Sequence, residues 1–251
     1  MPSSYRGRGG YAQRRGRGGW SQPFAKRQDP TKPDLQKHPL GDLISTVRRS
    51  DLRPLHLDST PSLHIQGCKY VTSYNWLDSK DPTVVVPGQP PQWDPPKIAR
   101  RLQEDNGTYY RDPNAAHYPD YPLAPAVKAT LDAIGSKPVN TDIFACGATL
   151  GHLLRFTRGA DKAFRFNVQV VGKTMFLIRK ENDPKEVIEG VRGFGHSFPD
   201  AYTSWPSEVK GSETHQRIVQ YQLGGLQFLV RFECDSARIF SRRKINVNRR
   251  A

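Results

Sequence analysis

The chain has 251 residues, of which 36% are hydrophobic, and its 38 Lys and Arg residues against 24 Asp and Glu residues give a formal net charge of +14. This hydrophobic share is low for a globular protein, so part of the chain is predicted not to fold. No apolar run is long enough to span a membrane, and the N-terminus lacks the apolar stretch of a secretion signal. The sequence therefore predicts an intracellular protein, in the nucleus or cytoplasm, with no membrane contact.

The positive charge is concentrated at the two ends of the chain. Residues 1–28 hold seven basic residues and no acidic one, and residues 238–251 hold six and no acidic one. Residues 29–237 are nearly neutral, with 25 basic and 24 acidic residues. Three cysteines, Cys68, Cys146 and Cys234, have no paired spacing, which favours reduced thiols over disulfides or a zinc site.

Residues 1–39 are predicted to form a disordered arm and a linker. Two patches of Arg-Gly-Gly type, at residues 5–10 and 14–20, are interleaved with aromatic residues. Ordering so many glycines costs more backbone entropy than the few apolar groups could offset. Arginine pairs with phosphates and stacks on bases, so the arm predicts binding to single-stranded RNA, with a solubilising or membrane-surface tail as the alternative. The residues predicted to contact RNA are Arg6, Arg8, Tyr11, Arg14, Arg15, Arg17 and Trp20.

A folded domain is predicted over residues 40–235, followed by a basic tail over 236–251. An apolar pattern predicts a short amphipathic helix from near Asp42. Residues 82–125 carry ten of the 21 prolines and are predicted to wrap over a core in extended segments, with one short helix around Lys97–Glu104. A longer helix, capped by Thr141 and Asp142, is predicted over roughly Phe144–Thr157.

Two β-hairpins follow, which makes the fold class α+β with an antiparallel or mixed sheet. The first joins residues 164–170 to 174–179 through Gly172-Lys173, and the second joins 217–223 to 226–235 through Gly224-Gly225. In both, polar and apolar residues alternate with the period of two that a half-buried strand requires.

The second hairpin ends in Glu233-Cys234-Asp235. Carboxylates two residues apart on a strand project from the same face, close enough to share Mg²⁺. Phosphodiester hydrolysis commonly uses such a metal ion to activate water and to neutralise the phosphate. The alternative is a solvated strand end in which a carboxylate pairs with Arg231.

Residues 212–235 resemble the strand-turn-strand that carries the E-h-D motif (h, hydrophobic) of the DXO-like decapping nucleases, in the PD-(D/E)XK superfamily. More broadly, residues 40–235 resemble a family of uncharacterised filamentous-fungal proteins that often bear a geranylgeranyl-diphosphate-synthase label. The stretches that carry this wider resemblance are Tyr74–Asp78, Tyr110–Asn114, Phe144–Gly151 and His215–Arg217.

The nuclease resemblance implies metal-binding roles for Glu233 and Asp235 and places Glu213 at an upstream acidic position. It also implies an E-h-K on the next strand, but no acidic residue occurs among the 16 residues after Asp235. The expectation is a PD-(D/E)XK-like fold that is incomplete at its C-terminal end, through truncation, missplicing or degeneration of that position. An alternative set is Asp200 followed by Glu208 and Lys210, which spells PD…ExK but is too closely spaced for two strands and a turn.

The sequence therefore predicts an RNA-associated protein with an incomplete nuclease-like domain. One alternative is an active Mg²⁺- or Mn²⁺-dependent hydrolase of RNA 5′ ends or phosphodiesters. A second is a protein-interaction module built on the proline-wrapped segment. A prenyl diphosphate synthase is disfavoured, because that chemistry needs aspartate-rich helices and no two aspartates are adjacent here.

Overall fold

The computed structural model describes residues 34–52, 64–135, 140–160 and 162–237. The RNA-binding arm and the basic tail predicted above lie outside them, except for linker residues 34–39 and tail residues 236 and 237. The described strands are β1 (Gln66–Leu77), β2 (Val84–Val85), β3 (Gln92–Trp93), β4 (Ile143–Cys146), β5 (Phe166–Val171), β6 (Thr174–Arg179), β7 (Thr203–Ser204), β8 (Ser212–Leu223) and β9 (Leu226–Glu233). The α-helices are α1 (Pro113–His117), α2 (Ala124–Ile134), α3 (Gly147–Thr157) and α4 (Ser197–Tyr202), and single 3-10 turns lie at Arg49–Asp51 and Ser207–Val209.

Seven strands form one mixed sheet in the order β2-β1-β8-β9-β4-β6-β5. β4 runs parallel to both β9 and β6, and the other neighbours are antiparallel. The predicted α+β class with a mixed sheet is confirmed. β9 is the fourth of the seven strands, so Glu233 and Asp235 lie at the end of the central strand. No helix in the described part of the chain is long and apolar enough to cross a membrane.

The hydrophobic core lies between one face of the sheet and α2. Large sheet residues, Tyr74, Trp76, Phe144, Ile218 and Leu229, pack in one cluster with Leu123, Ala126 and Ala129. The two alanines let the helix approach the sheet closely, and each large apolar side chain that is fully buried contributes about 1.5–3 kcal/mol. This packing holds α2 against the face of the sheet formed by β1, β8, β9 and β4.

Both predicted hairpins are confirmed. β5 pairs with β6 across Gly172-Lys173, and β8 pairs with β9 across Gly224-Gly225. Gly224 and Gly225 have φ values of +59° and +83°. Glycine adopts these values without the steric cost that other residues meet, and the resulting turn matches the twist of the two strands.

Three helix predictions are wrong in whole or in part. Residues 41–48 form no helix, and Ile44 is 98% exposed, because no surface packs against the apolar stripe that would have stabilised one. Residues 97–104 are also irregular, and the helices near the proline-rich segment are α1 and α2 instead. Each of these has a proline in its first two positions, where the missing N–H costs nothing.

The third helix begins at Gly147 rather than Phe144. Residues 143–146 form β4, which is buried between β9 and β6. Asp142 does not cap the helix, because its carboxylate accepts a hydrogen bond from the backbone of Gln227 at 2.7 Å. Tertiary pairing overrides the helical pattern for residues 144–146, the first three of the predicted helix.

Candidate functional site

The end of β9 carries two exposed carboxylates. Glu233 is the last residue of the strand, and Asp235 follows after it. The backbone N–H of Cys234 donates to the carbonyl of His215 at 3.0 Å, so hydrogen bonding to β8 continues one residue beyond Glu233. The sequence prediction that this pair lies at the end of a central strand is therefore confirmed by the sheet order.

Glu233 is held by a buried polar chain on the same face of the sheet. Gln216 lies opposite it on β8 and donates from Nε2 to the carboxylate at 3.4 Å. Arg231, two residues earlier on β9, donates from Nη1 to Oε1 of Gln216 at 3.3 Å. Gln216 is 1% exposed and Arg231 is 8% exposed, so this chain leads from the surface carboxylate into the interior.

Arg231 keeps its positive charge although it is buried. Burial acts against the charge, but Tyr74, Cys146 and Asp112 outweigh it and raise the pKa of Arg231. Cys146 is its direct neighbour in the parallel ladder with β4. A permanent cation therefore lies beneath the candidate metal ligands.

The pKa of Glu233 is raised. The main cause is reduced solvation of the carboxyl group, followed by the negative charge of Asp235, while Gln216, Arg231 and His196 act in the opposite direction. A cation shared between the two carboxylates would relieve the repulsion that the Asp235 charge exerts on ionised Glu233. The pair could thus hold either a proton or a metal ion.

Glu213 does not join this pair through any contact in the described structure. Its carboxylate pairs instead with Nε2 of His117 at 3.1 Å. The ring of His117 stacks on Trp76 with centroids 4.6 Å apart. The Glu213–His117 pair therefore connects β8 to the end of α1.

The alternative set of Asp200, Glu208 and Lys210 does not lie on two strands of the main sheet. Asp200 is in α4, Glu208 is in the 3-10 turn, and Lys210 follows that turn. Within the described ranges, none of the three takes part in an ion pair. The predicted RNA-contact residues of the arm, Arg6, Arg8, Tyr11, Arg14, Arg15, Arg17 and Trp20, lie outside the described residues.

Among the residues that the structure describes, no group of three or more His, Cys, Asp or Glu side chains is placed to hold a metal ion. Glu233 and Asp235 can supply two oxygen ligands. Mg²⁺ is often bound by one or two carboxylates, with water and substrate phosphates as its other ligands. The pair fits a cation held in that way and does not fit a cage supplied by the protein alone.

An aromatic surface lies next to the carboxylates. Two residues after Asp235, Ala237 accepts a hydrogen bond from the backbone of Trp93 at 2.9 Å. The Trp93 ring lies 5.6 Å from Tyr202 and 6.0 Å from Phe198, and the rings of Phe198 and Tyr202 stack at 4.6 Å. These three residues, the aromatic trio, offer ring faces of the kind on which nucleobases stack. The sequence analysis did not predict the trio, because its members come from β3 and α4, about 100 residues apart.

Asp105 anchors the loop that leads into α4. Its carboxylate accepts hydrogen bonds from the backbone of Ser197 at 2.8 Å and of His196 at 3.2 Å. Burial acts to raise the pKa of Asp105, but these backbone donors outweigh it and lower the pKa. The His196 ring stacks on Tyr109 at 3.7 Å, so the segment facing Glu233 is fixed from two sides.

The fold and site define an α+β protein with a mixed sheet and a carboxylate pair at the end of its central strand. The chain belongs to the family described as Domain of unknown function (DUF8563), whose model matches residues 44–245. A comparison with curated proteins finds no match.

Solved structures with a similar fold include those of Rai1, a protein of the DXO-like family. Rai1 of S. pombe has 13% sequence identity and a TM-score of 0.48, with 77% of this chain and 59% of that chain covered. Rai1 of Scheffersomyces stipitis has 15% identity and a TM-score of 0.44, with 75% and 60% covered. A further structure is S. pombe Rai1 in complex with 3′-FADP, at 13% identity and a TM-score of 0.47. The chain spans less than two thirds of these proteins, and at this distance the likeness concerns the fold and not the activity.

Proposed function

We propose that this protein binds single-stranded RNA and that its nuclease-like domain does not hydrolyse it. The observation that carries the second part is the buried chain from Arg231 through Gln216 to Glu233. Arg231, a cation that is part of the fold, acts to lower the pKa of Glu233 and so offsets part of the cost of its negative charge. A metal ion held by Glu233 and Asp235 would have to compete with Gln216 and Arg231 for the Glu233 carboxylate.

The composition of residues 1–28 supports RNA binding. Their seven basic residues are accompanied by no acidic residue, and aromatic side chains are spaced among them. In the folded part, the aromatic trio adds a stacking surface beside the end of β9. The arm would contact phosphates and the domain would stack bases. Neither contact reads the base sequence, so together they suit binding to many different RNAs.

A second candidate function is hydrolysis of RNA 5′ ends or phosphodiesters with Mg²⁺ or Mn²⁺. It is favoured by the raised pKa of Glu233 beside Asp235, because a shared cation would relieve the repulsion between them. Such a metal ion, when bound, activates water and stabilises charge on the phosphate. In this function Glu233 and Asp235 would hold the ion, and Gln216 would orient Glu233 toward it.

The binding test compares the full chain with a variant that lacks residues 1–28, using filter binding to single-stranded RNA at two salt concentrations. We expect the deletion to lose most of the affinity, and the affinity of the full chain to fall steeply with salt. A control in which Arg6, Arg8, Arg14, Arg15 and Arg17 are replaced by Lys keeps the charge and removes the bidentate pairing. Equal affinity of the deletion and the full chain would contradict the proposal.

The hydrolysis test incubates labelled RNA with the full chain in Mg²⁺ or Mn²⁺, beside an E233A/D235A variant. We expect no divalent-dependent cleavage from either protein. Cleavage by the full chain that disappears in the double variant would establish the second candidate function in place of the first. Cleavage that persists in the double variant would indicate a contaminating nuclease, and the preparation would be repurified before the comparison is repeated.

A further inference from the structure

A basic cavity of about 260 Å³ lies beside α3 and the end of β6, and no residue of the aromatic trio lines it. Six of its lining residues are basic and one, Glu181, is acidic. The basic residues are Arg111, Arg155, Lys162, Arg165, Arg179 and Lys180. This excess is unusual because the domain as a whole is nearly neutral.

Only part of this charge is compensated by neighbouring carboxylates. Arg111 pairs with Glu186 at 3.1 Å, and Arg179 pairs with Glu181 at 2.6 Å. Within the described residues, no ion pair involves Arg155, Lys162, Arg165 or Lys180.

Some donors of the uncompensated arginines are also buried without a partner. Nε of Arg155, and Nε and Nη2 of Arg165, have no hydrogen-bond acceptor among the described residues. A buried donor on a charged group that makes no hydrogen bond is costly, so the cavity has the chemistry of an anion site.

One wall of the cavity includes two rings, His152 and Phe164, whose centroids are 5.3 Å apart. Burial, and then the charges of Arg155, Arg179 and Lys162, lower the pKa of His152 to about 4. The histidine is therefore neutral at physiological pH, and its lowered pKa reflects in part the positive charge around it.

We propose that this cavity binds a phosphate group of about the size of a diphosphate, carried by a nucleotide or by RNA. Arginine recognises phosphate oxygens with paired hydrogen bonds, and Lys162 and Lys180 add charge. The volume is slightly below that of typical small-molecule pockets, which suits a diphosphate better than a whole nucleotide. Neither Glu233 nor Asp235 lines the cavity, so this site is separate from the carboxylate pair. The cavity is lined by positive charge, whereas the pair is negative.

The chain enters the described domain at the rim of this cavity. The backbone N–H of Asp34 donates to Oδ1 of Asn182 at 2.7 Å, and Arg165 donates from Nη1 to the carbonyl of His38 at 3.0 Å. The arm precedes this segment in sequence. For an RNA ligand the inference rests on the proposed RNA binding.

The test uses the full chain and inorganic pyrophosphate, with binding measured by calorimetry. The variant R155Q/K162Q removes two charges from the cavity, and the control K69Q/K128Q removes two from exposed positions on β1 and α2. We expect wild type and control to bind equally and the cavity variant at least about tenfold more weakly. Equal binding by all three proteins, or no binding to wild type, would overturn the proposal.

A second measurement needs no variant. The imidazole of His152 is titrated by NMR with and without saturating pyrophosphate, and the bound anion is expected to raise its pKa from about 4 toward 6.5. An unchanged titration would also overturn the proposal.

Single-stranded RNA then identifies the source of the phosphate. If R155Q/K162Q weakens RNA binding as well, the ligand is RNA, and if it weakens only pyrophosphate binding, the ligand is a free nucleotide or diphosphate. Both results support a phosphate site. A full chain that fails to bind RNA would refute the proposed function and leave the pyrophosphate result intact, so the two failures can be told apart.

Discussion

Gln216 and Glu233 lie directly opposite each other on neighbouring strands, and the amide of Gln216 donates to the Glu233 carboxylate at 3.4 Å. The other end of the same amide accepts from Arg231 at 3.3 Å. One neutral side chain therefore links a surface carboxylate to a buried cation. Since Arg231 depends on this amide as an acceptor, the link has consequences for stability as well as for metal binding.

Replacing Gln216 by Leu should destabilise the fold. The substitution keeps the buried volume but leaves Nη1 of Arg231 without this acceptor, and an unmade hydrogen bond to a buried group costs about 1–3 kcal/mol. Urea unfolding at neutral pH measures the loss. The matched control is Gln222→Leu near the hairpin turn of the same strand, where the side chain is less buried and the loss should be under about 0.5 kcal/mol. Equal losses for the two variants would contradict the role of Gln216.

Replacing Glu233 by Gln should stabilise the protein at neutral pH. The pKa of Glu233 is higher in the fold than its ordinary value of 4.5, so its ionised form is less favourable in the folded than in the unfolded chain. That penalty is present above the raised pKa and disappears as the pH falls to about 4.5. The gain over wild type should therefore be present at pH 7.5 and shrink by pH 4, as measured by urea unfolding.

The control for this prediction is Glu208→Gln. Glu208 is exposed and forms no ion pair within the described ranges, so the same change of charge should give no pH-dependent gain. A gain for Glu233→Gln that is the same at both pH values would show that the effect does not come from titration of this carboxyl group.

His215 should make the protein less stable in mild acid. Its side chain is 1% exposed, and burial, followed by the charge of Arg217, lowers its pKa from 6.5 to about 4. Between these values the unfolded chain binds a proton that the folded protein does not, so stability is complete above pH 6.5 and falls as the pH decreases toward 4. The loss from this group is at most about 3 kcal/mol.

The variant His215→Gln tests this assignment, because it removes the titration and keeps a donor for Oδ1 of Asn75, which His215 Nδ1 contacts at 2.7 Å. The difference from wild type should depend on pH between 6.5 and 4. Exposed His64→Gln is the control and should keep the slope of wild type. His152 titrates in the same range, and comparing each variant with wild type cancels its contribution.

The sequence was sufficient to predict the hairpins and the strand that ends at Glu233, with Asp235 two residues beyond it. Alternating residues and the glycine turns are local signals, so they do not depend on the rest of the fold. β1 was not predicted, although it is the main partner of β8. Its residues 72–76 are buried in succession instead of in alternation, because Tyr74 and Trp76 face the core while Ser73 and Asn75 contact the loop around Gly88.

The site depends on contacts that no local pattern carries. The pairing of Gln216 with Glu233 follows from the register of β8 and β9. The raised pKa of Arg231 depends first on Tyr74 from β1 and then on Cys146 from β4. The basic cavity combines residues from α3, β6 and the loop at Arg111. Counting charges along the chain indicated a nearly neutral domain. A net count cannot show that folding brings six basic residues together around one cavity.

Replacing Gly88 by Ala should destabilise the protein by about 2 kcal/mol. A Cβ at this position would lie 2.5 Å from the backbone carbonyl carbon of Tyr74 and 2.7 Å from the backbone nitrogen of Asn75, and neither can move without disturbing β1. Gly41→Ala is the matched control, because a Cβ there meets nothing within 4 Å. Thermal or urea unfolding should separate the two variants, and similar stabilities would indicate that the loop shifts to admit the methyl group.

Replacing Trp93 by Ala should weaken RNA binding through lost stacking. Trp93 is 40% exposed and lies beside Phe198 and Tyr202, so one base stacked on it would contribute about 1–3 kcal/mol, or at least about fivefold in affinity. Stacking releases no counterions, so the salt dependence should stay that of wild type. Trp93→Phe should keep most of the affinity, and Tyr121→Ala, which removes an exposed aromatic outside the trio, should have no effect. Filter binding with one RNA at several salt concentrations compares all four proteins, and an equal loss for Tyr121→Ala would mean that aromatic exposure in general, and not this surface, contacts the RNA.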